Sequence, residues 1–103
     1  RKYHVDKAFL SSKSIDAPHG VTDATADEAE SKKAILASAA EVFFLMDHTK
    51  LDSCAFYQVC PLPQAGRLIV DFQPGIREKH AEFFSSCEKS SVKVQIISEG
   101  IEI

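Results

Sequence analysis

The sequence has no apolar run long enough to cross a membrane. The longest, Val42 to Met46, is far short of the roughly 20 residues that a spanning helix needs, so a soluble protein with no membrane partner is expected. Nor is there an excess of basic residues. Twelve Lys and Arg stand against 15 Asp and Glu, a formal charge of −3, so no basic surface advertises DNA, RNA or anionic lipid. Cysteine is sparse: Cys54, Cys60 and Cys87 are odd in number and have no C-x-x-C spacing, which argues against a disulfide framework and against a zinc site. Buried free thiols in a reducing cytoplasm are expected instead. The four histidines, His4, His19, His48 and His80, form no H-x-x-x-H pair and no H-E-x-x-H motif, so neither a metal nor another cofactor is expected. Three further motifs are missing: G-x-G-x-x-G, the P-loop and the G-x-S-x-G elbow. Dinucleotide binding, phosphoryl transfer and serine hydrolysis therefore lack support.

What is present fits one ordinary domain of 103 residues, 45% hydrophobic and 26% charged, large enough to bury a core. It opens on Arg1 without an initiator Met and reads as a piece of a longer protein. A strand is expected from Tyr3 to Leu10, then a connecting loop over Ile15 to Ala24, where Pro18, Gly20 and several Asp interrupt regular structure. Thr25-Ala26-Asp27-Glu28 fits a capping box and opens a helix that runs to about Glu41. Val42 to Met46 has the composition of a strand buried on both faces. Further strands are expected at Ala55–Cys60 and Arg67–Asp71. Ile76, His80, Phe83, Phe84 and Cys87 mark the apolar face of a second helix. Val92, Val94 and Ile96 alternate with polar residues, as in a half-exposed strand near a sheet edge. The order predicts an α/β fold, an open and mostly parallel sheet with flanking helices.

In such sheets ligands bind beyond the carboxyl ends of the strands. Asp47-His48-Thr49-Lys50 occupies that position after the most apolar strand. Lys50 suits a phosphate or carboxylate, Thr49 a donated hydrogen bond and Asp47 a ligand hydroxyl; the other reading is a strand end with solvated charges. Glu28 and Lys32 lie one helical turn apart, with Lys32 on the stripe of Ile35, Leu36 and Ala39. They are either an i, i+4 ion pair or residues facing the same crevice as Lys50. Asp6 and Asp16 are weaker candidates. Cys54 and Cys60 have no paired His at a recognisable spacing, so a cysteine nucleophile has no support.

With these residues in place, the chain resembles the later part of the sensor domain of DeoR-type bacterial transcriptional regulators. Asp6-Lys7-Ala8-Phe9-Leu10, Ile15-Asp16 and Gly20-Val21-Thr22 are similar to that family's D-x-A-F-I-G-x-x-G-I-D and G-L-T segments. Glu28-Ala29-Glu30-Ser31-Lys32-Lys33 resembles its E-A-x-V-K-R, Asp47-His48-Thr49-Lys50 its D-S-S-K, and Leu68-Ile69-Val70-Asp71 its L-I-T-D. The likeness runs in register from about Tyr3 to Ile97. It departs at Ser11 and Ser14, which replace glycines, at Asp23, which replaces a Thr, and at Asp52, which replaces a Gly. Added side chains narrow a crevice and Asp23 repels an anion, so these departures imply either a different ligand or weaker binding.

The resemblance implies an effector-binding, sugar-phosphate-sensing domain of a transcriptional repressor of sugar metabolism, not an enzyme. Its fold would be that of the phosphosugar isomerase and CoA-transferase superfamily, here incomplete. The partners implied are a small-molecule effector, a phosphorylated sugar, and DNA only through a helix-turn-helix outside this chain. The D-S-S-K segment also resembles the D-E-S-K of ribose 5-phosphate isomerase A, whose lysine contributes to the substrate site. Lys50 is therefore the leading site residue, followed by Lys32, with Asp47, Thr49, Glu28 and Asp6 contacting hydroxyls or orienting the lysines. The alternative is a sugar-phosphate isomerase, which needs a carboxylate base; Asp16 or Asp23 would have to serve. An unpaired sheet edge predicts a homo-oligomer, a dimer.

Overall fold

A computed structural model of the chain describes residues 4–99, 101 and 102; Tyr3, where the first strand was expected to begin, lies outside them. Two sheets and three helices follow in the order β1 (Val5–Ser11), β2 (Ser14–Asp16), β3 (Gly20–Asp23), α1 (Ala26–Ser38), β4 (Ala39–Met46), β5 (Tyr57–Cys60), β6 (Arg67–Asp71), α2 (Ile76–Lys79), α3 (Ala81–Lys89), β7 (Lys93–Ser98) and β8 (Ile101–Glu102). The main sheet has the order β1-β4-β6-β7-β8. Its first four strands are parallel, and β8 closes antiparallel on the end of β7. The α/β class and the mostly parallel sheet read from the sequence are what the chain adopts.

The stretch expected to be a loop over Ile15–Ala24 is a hairpin instead. β2 and β3 pair antiparallel, and β5 joins them to make a second, three-stranded sheet. Pro18 and Gly20 belong to the hairpin turn region. Gly20 has φ +75, and a Cβ there would run into the backbone of Cys60 and Leu62, so the turn is held close against β5.

Thr25 caps α1 as the T-x-x-E pattern predicts, although the Glu28 carboxylate takes the Thr25 hydroxyl rather than the Thr25 backbone N–H. Its hydroxyl oxygen accepts from the Glu28 N–H and its O–H donates to the Glu28 carboxylate. The helix ends at Ser38 rather than near Glu41, because Ala39 already pairs with Val5 in the sheet. Sheet pairing overrides the helix propensity of the two alanines. The second helix is broken at His80 (φ −117, ψ 32), between α2 and α3. Its apolar face nevertheless points inward, with Ile76, His80, Phe83 and Cys87 all buried.

Strand register sorts the side chains of the main sheet into two faces. Phe44 aligns with Leu68 and Val94, and Met46 with Val70 and Ile96. These rows meet Phe83, Cys87, Ile15 and Val21 in one core, covered by the helices and the small sheet. The opposite face carries Phe9, Phe43 and Leu45. Phe9 stacks on Phe43 at 4.8 Å between ring centroids yet stays 61% exposed, and Leu45 is 43% exposed. The expectation that Val42–Met46 is buried on both faces is thus corrected: only Phe44 and Met46 are buried, because the covering elements lie on one side. Among the described residues no helix is long and apolar enough to cross a membrane.

Candidate functional site

The adjacent parallel strands β1 and β4 both end at the same crevice, and the chain that follows each of them forms its walls. A cavity of about 580 Å³ is lined by Lys13 and Ser14 from the first segment and by Thr49, Lys50, Ser53, Cys54, Ala55 and Phe56 from the second. That volume lies within the few hundred to 1,000 Å³ usual for small-molecule sites. A smaller depression of about 190 Å³, whose lining includes Ser11, Ser12, Asp23, Glu28 and Lys32, shares Lys13 and Lys50 with it. Lys50 and Thr49 thus border the cavity, and Lys50, Lys32 and Glu28 the adjoining depression. Lys50 is half-buried, and among the described residues neither its ammonium group nor that of Lys13 has an ion-pair partner.

The Asp47–Lys50 segment is a 3-10 turn at His48–Lys50 capped by Asp47. The Asp47 carboxylate accepts from the Thr49 backbone N–H and from the Thr49 hydroxyl, each at 2.8 Å. These two bonds, the backbone one first, hold the Asp47 carboxyl below its ordinary value. Asp47 is thus a cap, and lines neither depression. The Thr49 hydroxyl proton is engaged by Asp47, so the expected donation to a ligand would require that bond to break. His48 is anchored separately: its N–H reaches Asp71 at 2.6 Å and its Nδ1 lies 2.7 Å from the same carboxylate. The register of Met46 with Val70 puts these two strand ends side by side. The aligned ends of Val42–Met46 and Arg67–Asp71 were the only sequence signal for that contact.

Lys32 is not paired with Glu28. Its ammonium sits 2.7 Å from Asp23, whose side chain is only 3% exposed, and Asp23 also accepts from the Lys13 N–H at 2.8 Å and from the Ser12 hydroxyl. The idea that Asp23 repels an anion is corrected by this geometry, since Lys32 neutralises it. Glu28 takes the Thr25 hydroxyl instead. Asp6 is exposed on β1, five residues before Ser11, or roughly 16 Å along an extended strand, and lines neither depression.

The other departures also have definite places. Ser14 is buried, its hydroxyl 2.9 Å from that of Thr22. Asp52 takes φ +59, a conformation natural to Gly and tolerated by Asp, and its carboxylate lies 2.6 Å from Nδ1 of buried His80. Sequence reasoning missed Lys13, Ser53, Cys54 and Phe56 as crevice residues, since nothing in their spacing marks a fold-back onto β2. Of the cysteines, Cys60 and Cys87 are buried as expected, and burial pushes both thiols up to about 11. Cys54 is exposed, contrary to expectation, because its segment forms the cavity wall.

Comparison with known proteins places this arrangement. The family described as the DeoR C-terminal sensor domain matches residues 1–72. The HTH-type transcriptional repressor GlcR of Bacillus subtilis (strain 168) is 39% identical over 72 residues, covering 70% of this chain and 28% of the relative. The HTH-type transcriptional regulator IolR of the same organism is 36% identical over 73 residues, covering 71% of this chain and 29% of the relative. The chain thus spans less than a third of the length of these curated relatives. With most of its length matched by the family, the chain belongs to the DeoR C-terminal sensor domains.

Proposed function

We propose that this chain is the effector-sensing part of a transcriptional regulator, with a phosphorylated sugar as effector. The observation that carries the reading is the pair of ammonium groups, Lys13 and Lys50, without an ion pair among the described residues, on a cavity whose other lining combines Ser14, Thr49 and Ser53 with the apolar Ala24, Ala55 and Phe56. Cations suit the phosphate, and hydroxyl oxygens suit the sugar. DNA contact is assigned to a helix-turn-helix outside this chain, in keeping with the names of the relatives. Sensing is favoured over isomerisation by the state of the carboxylates: Asp23 is tied to Lys32, and Asp16 does not line the cavity. Neither of the two carboxylates that an isomerase reading would use as base is thus free on the cavity wall. Effector binding would act by favouring one arrangement of the regulator over another.

Calorimetric titration of the full-length regulator with ribose 5-phosphate, glucosamine 6-phosphate and other sugar phosphates, each beside its unphosphorylated sugar, tests this. At least one phosphate ester is expected to bind, its parent sugar not, and none to be turned over. Binding of no ester, or turnover of one, would reject the reading. We also place a homo-oligomer contact on the uncovered sheet face bearing Phe9 and Leu45 and on the free edge of β1. Light scattering is expected to show a dimer; a monomer at high concentration would rule it out.

A further inference from the structure

Three side chains meet beside the cavity: the Asp16 carboxylate from the end of β2, the His19 imidazole three residues later in the following turn, and, from a distant part of the sequence, the Cys54 thiol of the cavity wall. Their donor atoms all lie within 4.8 Å of one another. We propose that they form a binding site for a zinc-class divalent ion. No sequence spacing announces it, because the thiol arrives from 35 residues beyond His19 by the fold-back of the Ser53–Ala55 segment.

The donor chemistry is selective. A carboxylate, an imidazole and a thiolate are the three side-chain ligand types of tetrahedral zinc, whereas magnesium and calcium require oxygen cages. A tetrahedral ion with bonds of about 2.0–2.3 Å holds its ligands about 3.3–3.8 Å apart, so donors already within 4.8 Å need approach by only about an ångström. A second cluster of possible ligands, Asp47, His48 and Asp71, lacks a thiol, and the Asp47 carboxylate is committed to capping the turn at Thr49.

Both halves of the site are held in place by independent contacts. The Asp16 carboxylate accepts from the His19 N–H at 2.8 Å and lies 3.0 Å from His19 Nδ1, so the two ligands are already side by side. The His19 carbonyl in turn accepts from the Gln58 amide at 2.8 Å, pinning the turn to β5. Cys54 is bracketed by two tethers to the same hairpin: the Ser53 N–H reaches the Ile15 carbonyl and the Ala55 N–H reaches the Thr22 hydroxyl. Ordering costs are small when ligands are pre-placed in this way. On binding, Cys54 gives up its thiol proton to solvent and breaks its bond to the Ala55 carbonyl, and the His19 Nδ1–Asp16 contact opens, any proton between them also passing to solvent. His19 coordinates through a neutral ring nitrogen, and water takes the fourth position.

The inference does not depend on the sugar-phosphate reading, and zinc alone tests it. Reduced protein titrated with zinc chloride is expected to bind one equivalent with release of protons. Cobalt(II) in its place is expected to show a thiolate-to-metal charge-transfer band and the intense visible bands of tetrahedral cobalt. Cys54→Ser and His19→Gln are exposed substitutions. Each is expected to weaken zinc at least about tenfold, and Cys54→Ser to abolish the charge-transfer band, with far-UV circular dichroism unchanged. No zinc uptake by the wild-type protein overturns the proposal. So does uptake that survives Cys54→Ser unaltered, or uptake that His48→Gln abolishes instead.

Discussion

Lys32→Met is expected to lower the unfolding free energy by about 3 kcal/mol, although Lys32 sits on a surface helix. The reason lies in its partner. Asp23 is 97% removed from solvent as a side chain, and Lys32 supplies the compensating charge at 2.7 Å. The Lys13 N–H and Ser12 hydroxyl remain after the substitution and hold the loss at the lower end of the 3–5 kcal/mol typical of a broken buried pair. For a domain of this size, thermal unfolding should move down by roughly 10–20 °C. Adding Asp23→Asn to Lys32→Met is expected to recover most of that loss, because the uncompensated charge disappears with it. A drop of only a degree or two would mean that the pair behaves as an ordinary exposed ion pair, and that account of the crevice wall would fail.

The same pair shows where the sequence was readable and where it was not. The i, i+4 spacing of Glu28 and Lys32 is a local signal, and it suggested a local partner. The real partner is set by tertiary structure, because the β2–β3 hairpin brings Asp23 to the first turns of α1. That hairpin was itself the main element missed. Pro18 and Gly20 punctuate a turn, but the strands beside them are three and four residues long, too short for alternation to be visible. By contrast β6 and the Thr25 cap of α1 appear where expected, since both rest on residues close together in the chain. The break at His80 shows the same division: periodicity identified the buried face, while the Asp52 carboxylate that draws His80 inward lies 28 positions earlier.

The site divides in the same manner. Lys50, Thr49, Lys32 and Glu28 were chosen from one strand end and one helix start, and each borders at least one of the two adjoining depressions. Asp47 was chosen on the same grounds, but its carboxylate is the cap that shapes the turn. Lys13 and Cys54 reach the crevice through the second sheet, which the sequence did not disclose. Asp23 and Asp52 looked like obstacles when compared with the family pattern. In the fold each carboxylate has a cationic or imidazole partner, so the substitutions come with their own compensation.

Lys50→Ala is expected to weaken binding of a sugar phosphate by roughly 10- to 150-fold, the equivalent of a lost hydrogen bond to a charged group at about 1.5–3 kcal/mol. Lys50 is the candidate lysine without an ion pair among the described residues, its charge only helping to hold the nearby Asp47 carboxyl low. Lys32 is bound to Asp23, while Lys50 borders both depressions with no ion-pair partner among the described residues. Stability should therefore change little in Lys50→Ala, which separates it from Lys32→Met. Lys50→Arg keeps the charge and is expected to retain more affinity than Lys50→Ala, while losing some to the different shape of its donor group. Lys13→Ala should weaken binding less, because Lys13 is exposed and its charge is better screened by solvent. Calorimetry on the four proteins, at two salt concentrations, reads all of this. If Lys50→Ala binds the ester as tightly as the wild type, Lys50 has no phosphate contact and the anion lies elsewhere.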